Sequence, residues 1–163
     1  MLYFKTVKIE NTDPEVIEKA IRTYSLKRLT SLDIIISSAS YASEEKYFFG
    51  LEKSKSLFIT RVRTPFERIF PKLIVRFKKE DEFTSYQIRY SLPALAFSLF
   101  NIFGLIADLL YMTTTDEFTF DGLFLLTAII ALFLLFTWFE FILVRNRINK
   151  AIEKTGVTEF LSV

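Results

Sequence analysis

The 163 residues carry a net charge of +2, with no cysteine and no histidine. The missing thiols exclude a disulfide framework and thiolate metal sites, and the missing imidazoles remove the commonest general base, metal ligand and pH switch. Hydrophobic residues make up 51% of the chain beside 25% charged residues, a pairing that resolves once the two are seen to be segregated: residues 92–144 hold only five charged residues, all acidic.

The N-terminus, Met1 to Lys8, has no charged leader followed by an apolar run, so no secretory signal is expected. Leu2–Glu10 alternates as a strand does, with Tyr3, Lys5 and Val7 on one face. Thr12-Asp13-Pro14-Glu15 then reads as a helix start, with Thr12 and Glu15 as a capping box. The spacing of Ile17, Ala20, Ile21 and Tyr24 predicts a helix to about Leu29. Short strands follow at Asp33–Ala39, Lys46–Glu52, Ser56–Arg63, Lys72–Lys79 and Phe83–Leu92, separated by polar turns. Connections this short predict an antiparallel meander. The acidic clusters Glu44-Glu45 and Glu80-Asp81-Glu82 fall in those turns and are read as solvated rather than metal-binding.

Two apolar segments come next, Leu92–Met112 and Leu123–Val144. At 1.5 Å per residue each spans roughly 32 Å, the thickness of a bilayer's hydrocarbon core. The connecting loop Thr113–Asp121 has three acids and no Lys or Arg, whereas Arg89, Arg145, Arg147 and Lys150 flank the other ends. The positive-inside rule therefore puts both termini in the cytoplasm and the loop outside. Tyr90 and Tyr111 bracket the first segment, and Pro93 sits in its first turn, where a missing N–H costs nothing. Residues 1–91 carry 17 basic and 12 acidic groups, so the cytoplasmic part is basic and suits an anionic leaflet. After the second segment, Arg145–Thr155 is amphipathic, with Ile148, Ala151 and Ile152 on one side and Gly156 as a helix stop.

The expected fold class is thus an α+β membrane protein. A small cytoplasmic antiparallel-sheet-plus-helix domain, residues 1–91 plus 145–163, carries a two-helix transmembrane hairpin, 92–144, inserted before the C-terminal helix. The order strand, helix, meander, terminal helix resembles that of helix-grip lipid-binding folds, in which a curved sheet wraps a helix around an apolar cavity. No motif accompanies that likeness, so it implies no function.

No catalytic constellation stands out, no cofactor is implied, and a non-enzymatic role is expected. Two groups of residues are candidates. On the first apolar segment, Ala94, Ser98, Asn101 and Asp108 fall within about 80° of one another, with Gly104 adjacent. Such a small-and-polar stripe suits helix–helix contact in lipid. In an antiparallel hairpin it would bring Asp108 level with Thr127, and Asn101 near Thr137. Glu140 is expected to snorkel or to pair with Arg145. The second group interleaves cations and aromatics: Arg61, Arg63, Phe66, Arg68, Phe70, Arg76 and Lys78, joined by Arg145 and Arg147. These are read as membrane-surface contacts to anionic headgroups. Nucleic acid is not an expected partner.

Three readings follow. The leading one is an accessory subunit or homo-oligomer associating through its transmembrane helices, with another membrane protein or itself as partner. The second is a membrane-tethered lipid or small-ligand-binding domain, with the ligand between the sheet and the first helix. The third is a membrane effector with a cytoplasmic sensing domain.

Overall fold

The computed structural model describes residues 3–10, 12–33, 45–115 and 120–161. Six strands form one mixed sheet in the order β1-β6-β5-β4-β3-β2. They are β1 Lys5–Lys8, β2 Ser25–Lys27, β3 Phe48–Lys53, β4 Ser56–Arg61, β5 Leu73–Lys78 and β6 Ser85–Tyr90. The helices are α1 Pro14–Thr23, α2 Leu92–Thr115 and α3 Phe120–Leu161, with a 3-10 turn at Phe66–Ile69. Apart from Asp33, the strand expected over Asp33–Ala39 lies outside the described residues.

Strands β3 to β6 form the expected meander, and β1 returns to pair antiparallel with β6. The sheet departs from the antiparallel expectation at β2, which runs parallel to β3. Helix α1 stops at Thr23 rather than near Leu29. Thr23, Tyr24 and Ser25 are weak helix formers, and Leu26 is needed against Phe49, Ile74 and Leu32 on the far face of the sheet. The 28–47 connection is long enough for the crossover that parallel pairing demands. The helix start also differs by one residue: Asp13, not Thr12, is the N-cap and accepts from the Glu15 N–H at 3.0 Å.

The face of the sheet toward the helices carries Phe48, Leu57, Ile59, Leu73, Val75, Phe77, Tyr86 and Ile88. Ile17, Ala20 and Ile21 of α1 close over it at 0% exposure, together with Phe141, Val144, Ile148 and Ala151 of α3. Full burial of each large apolar side chain contributes about 1.5–3 kcal/mol. These side chains of the sheet, α1 and α3 pack into one hydrophobic cluster, and a polar cavity flanks it where Glu15, Glu18 and Arg22 of α1 face Lys79, Glu82 and Phe83.

The second apolar segment and the C-terminal amphipathic stretch are one helix of 42 residues. Gly156 does not stop it, because no glycine among the described residues has a positive φ. Positions 141, 144, 148, 151 and 155 recur at helical spacing and are buried, so the core-facing stripe begins inside the apolar segment. Both α2 and α3 contain spans long and apolar enough to cross a membrane, Leu92–Thr114 and Gly122–Gly156.

Candidate functional site at the junction of sheet and hairpin

Where the sheet meets α2 and α3, a cleft of about 510 Å³ opens. Its rim is polar and its walls are apolar, and each part has a local cause.

One side of the rim is the turn after β4. Thr64 and Glu67 satisfy each other: the Thr64 N–H donates to Glu67 Oε2 at 2.7 Å, and the Glu67 N–H to Thr64 Oγ1 at 3.4 Å. This is the reciprocal bonding of a capping box, legible as Thr-Pro-Phe-Glu, a second match to the pattern besides the one expected at Thr12. The turn presents Arg68 and Ile69 at the cleft with Phe66 beside them, and Phe66 is 75% exposed. Phe70 folds inward, packing tilted against Phe136 at 5.4 Å and stacking on Phe139 at 6.5 Å.

Behind the turn lies a buried ion triad. Arg61 donates to Glu140 Oε2 at 2.7 Å and to Glu67 Oε1 at 2.8 Å. Arg61 and Glu140 are each 1% exposed. Burial alone would lower the guanidinium pKa, but the two carboxylates outweigh it and hold the group above its ordinary value. The Glu67 carboxyl is held below its ordinary range: burial would raise it, and the Thr64 N–H and Arg61 overcome that. The expected Glu140–Arg145 pair is replaced by this one, because Glu140 faces the end of β4 while Arg145 is exposed.

The other side of the rim comes from Asp33, Lys72 and Ser91. Asp33 accepts two bonds from Arg89, both at 2.9 Å, and one from the Leu92 N–H at 2.8 Å. The Arg89 guanidinium holds its carboxyl below the usual range. Asp33 thereby ties the end of β6 to an orphan donor at the start of α2. Lys72 donates to the Leu32 carbonyl, and burial pushes its amine down to about 8, with Arg63 adding to the effect. Arg63, 6% exposed, donates to the Phe70 carbonyl at 2.7 Å, and burial lowers its pKa as well. The walls below are Pro93, Ala94 and Phe97 of α2 against Ile129, Leu132, Phe133 and Phe136 of α3.

The residues singled out from sequence divide among several places. Arg61 and Arg63 are buried rather than on a surface, since strand alternation carries them to the face that α3 covers. Arg76 and Lys78 lie on the opposite face of the sheet. There Arg76 donates to Ser56 Oγ at 2.8 Å and approaches the Tyr3 ring at 5.6 Å, and Lys78 pairs with Asp81 at 3.5 Å. Arg147 sits over the Tyr47 ring at 5.3 Å. Of this group, the cleft gathers Arg63, Arg68 and Phe70.

The stripe on α2 behaves differently. Ala94, Ser98, Asn101, Gly104 and Asp108 are all less exposed than Phe97, Phe100 and Phe103 beside them. The stripe faces α3, where a Cβ on Gly104 would lie 3.7 Å from Leu126 and one on Gly122 would lie 3.4 Å from the Asp108 carboxylate. Asp108 is thus level with Gly122 rather than Thr127, which is exposed. Asn101 donates to the Phe97 carbonyl at 2.8 Å, and Thr137 is more than a turn away, bonded by the Tyr90 hydroxyl at 3.3 Å. Further along α3, Phe141, Val144, Ile148 and Ala151 pack in the core cluster of the sheet, so that helix has contacts to satisfy besides those with α2.

Sequence reasoning missed Asp33, Lys72 and the Arg61–Glu140 pair. Only the Thr64/Glu67 spacing offered a local signal. No family model, curated protein or solved structure matches this chain.

Proposed function

We propose that the chain is a non-enzymatic integral membrane protein that binds a lipid at the junction of its hairpin and its cytoplasmic domain. The observation that carries this reading is the cleft itself, with cations at its rim and apolar walls continuing into the groove between α2 and α3. Membrane insertion is supported by the outward side chains of the hairpin. Phe100, Phe103, Phe124, Leu134 and Trp138 are 59–78% exposed, a continuous apolar surface that water would disfavour and hydrocarbon would solvate. The acidic 113–121 loop and the flanking cations favour both termini on the cytoplasmic side.

Association with a second copy or another membrane protein rests on the polar stripe of α2. That stripe is turned toward α3 of the same chain, so the lipid reading stands ahead of it.

Native mass spectrometry of the full chain released from nanodiscs tests the proposal. One lipid per chain should survive release, and Leu132→Trp, which fills the cleft from a half-exposed position, should abolish its retention. Equal retention by both proteins, or none by either, would count against lipid binding in the cleft. The absence of native cysteine makes topology directly testable by labelling. A cysteine replacing Thr114 should react from outside intact cells, and one replacing Lys55 should not.

A further inference from the structure

We infer that the ligand is an anionic glycerophospholipid, its phosphate met by Arg63, Arg68 and Lys72 and one acyl chain lying along Phe97, Phe133 and Phe136. This rests on the lipid reading above and specifies its headgroup.

The charge balance of the rim is the first argument. Three cations line the cleft against one lining acid, Asp33, whose two oxygens already accept from Arg89, while the nearby Glu67 and Glu140 are engaged by Arg61. All three cations come from one ten-residue stretch, Arg63 just after β4, Arg68 in the 3-10 turn and Lys72 just before β5, and they converge because that turn is pinned by Arg61 and Glu67. Arg63 and Lys72 are 6% and 8% exposed, so their charges act through little intervening water. Burial, with Arg63 adding to it, holds Lys72 near 8, and an incoming anion favours its charged form. Arg68 is exposed and completes the rim from the solvent side. Guanidinium groups match phosphate oxygens in a bidentate fork, and an ammonium supplies a further point charge.

The second argument is the direction of the walls. Phe97 and Phe133 lie 5.7 Å apart across the two helices, and Phe136 is held by Phe70 at 5.4 Å. From Phe136 to Ile129 the wall descends about 10 Å along α3, away from the cations. Phe97 is 49% and Leu132 51% exposed, so the groove is open sideways. An acyl chain can enter laterally from the bilayer without leaving hydrocarbon, while its headgroup stays at the level where α2 begins. A free anion would use the rim and leave the apolar walls empty.

The experiment compares lipids retained by the full chain after release from nanodiscs of equimolar phosphatidylglycerol and phosphatidylcholine. Phosphatidylglycerol should be retained preferentially, and each cation removed should cut that preference about fivefold. Arg68→Gln is the primary variant, because its exposed side chain makes loss of folding no explanation; Lys72→Met is the second. Arg76→Gln, on the far face of the sheet, should leave the preference unchanged. Equal retention of the two lipids overturns the anionic assignment while the lipid reading survives. No retained lipid overturns both. A preference unaltered in Arg68→Gln and Lys72→Met, or lowered as much by Arg76→Gln, places recognition outside the cleft and overturns the assignment. Displacement of bound lipid by millimolar glycerol phosphate overturns the acyl contribution, and displacement by oleate as effective as by phosphatidylglycerol overturns phosphate recognition.

Discussion

Arg61 holds two carboxylates that no local pattern links to it: Glu67 six residues on and Glu140 seventy-nine residues on. Removing one member of such a buried pair leaves an uncompensated charge, which costs about 3–5 kcal/mol, whereas replacing both by apolar groups is often neutral. Glu140→Gln should therefore lower the thermal midpoint in detergent sharply. The double variant Arg61→Met/Glu140→Leu should recover much of that loss; a double variant as unstable as the single would refute the ion-pair account. Lys72 adds a dependence on pH. Its ordinary pKa of 10.5 falls to about 8 in the folded chain. Between those values the unfolded chain keeps a proton that the folded chain has released, so stability rises with pH across that window and is level below it. Tyr86, raised to about 12 by burial, acts in the opposite sense above pH 10. The difference in midpoint between wild type and Lys72→Met, followed from pH 7 to 10, isolates the lysine and should shift progressively in favour of wild type. At this scale the sequence was least informative. Arg61 and Arg63 read as surface cations because charge on a strand is usually solvated, and only contact with α3 reverses that.

At the scale of elements, periodicity found β1, β3 to β6, α1 and both apolar spans, since each has a face that must be buried. It erred where one element runs into another. α1 ends early because Leu26 is wanted on the far face of the sheet. α3 runs through the expected break because its apolar stripe and its amphipathic stripe share one phase. A methyl group added at Gly156 would meet nothing within 4 Å, and the residue has no positive φ. Gly156→Ala should therefore raise helix stability by about 0.5–1 kcal/mol, seen as a higher thermal midpoint. A glycine that terminated a helix in the left-handed region would respond with a loss.

For the whole molecule, the continuity of α3 has a mechanical consequence. Phe141 and Val144 belong to the apolar segment and to the domain core at once, and Ile148 and Ala151 complete one side of that core. Residues 1–91 expressed alone should accordingly show no cooperative thermal transition, because the apolar face of the sheet loses its cover. A cooperative transition by circular dichroism would mean that α3 is dispensable to the core. Asp33 makes the second connection, bonding Arg89 of β6 and the first N–H of α2. The two apolar helices are thus joined to the sheet at two points, through the α3 residues in the core and through Asp33.

Taken by itself, the sequence determined the α+β composition, the β3–β6 meander, the two apolar spans and the small-and-polar phase of α2. Those properties rest on composition and on periods of 2 and 3.6 residues, which neighbours along the chain suffice to reveal. The tertiary structure alone decided the parallel β2, the unbroken α3, the hairpin register and the burial of Arg61 and Arg63. It also decided the cleft, whose cations and rings come from strand ends, a turn and two helices. Each of those outcomes turns on which distant surface a residue meets, and charge or hydrophobicity read in order along the chain carries no information about that partner.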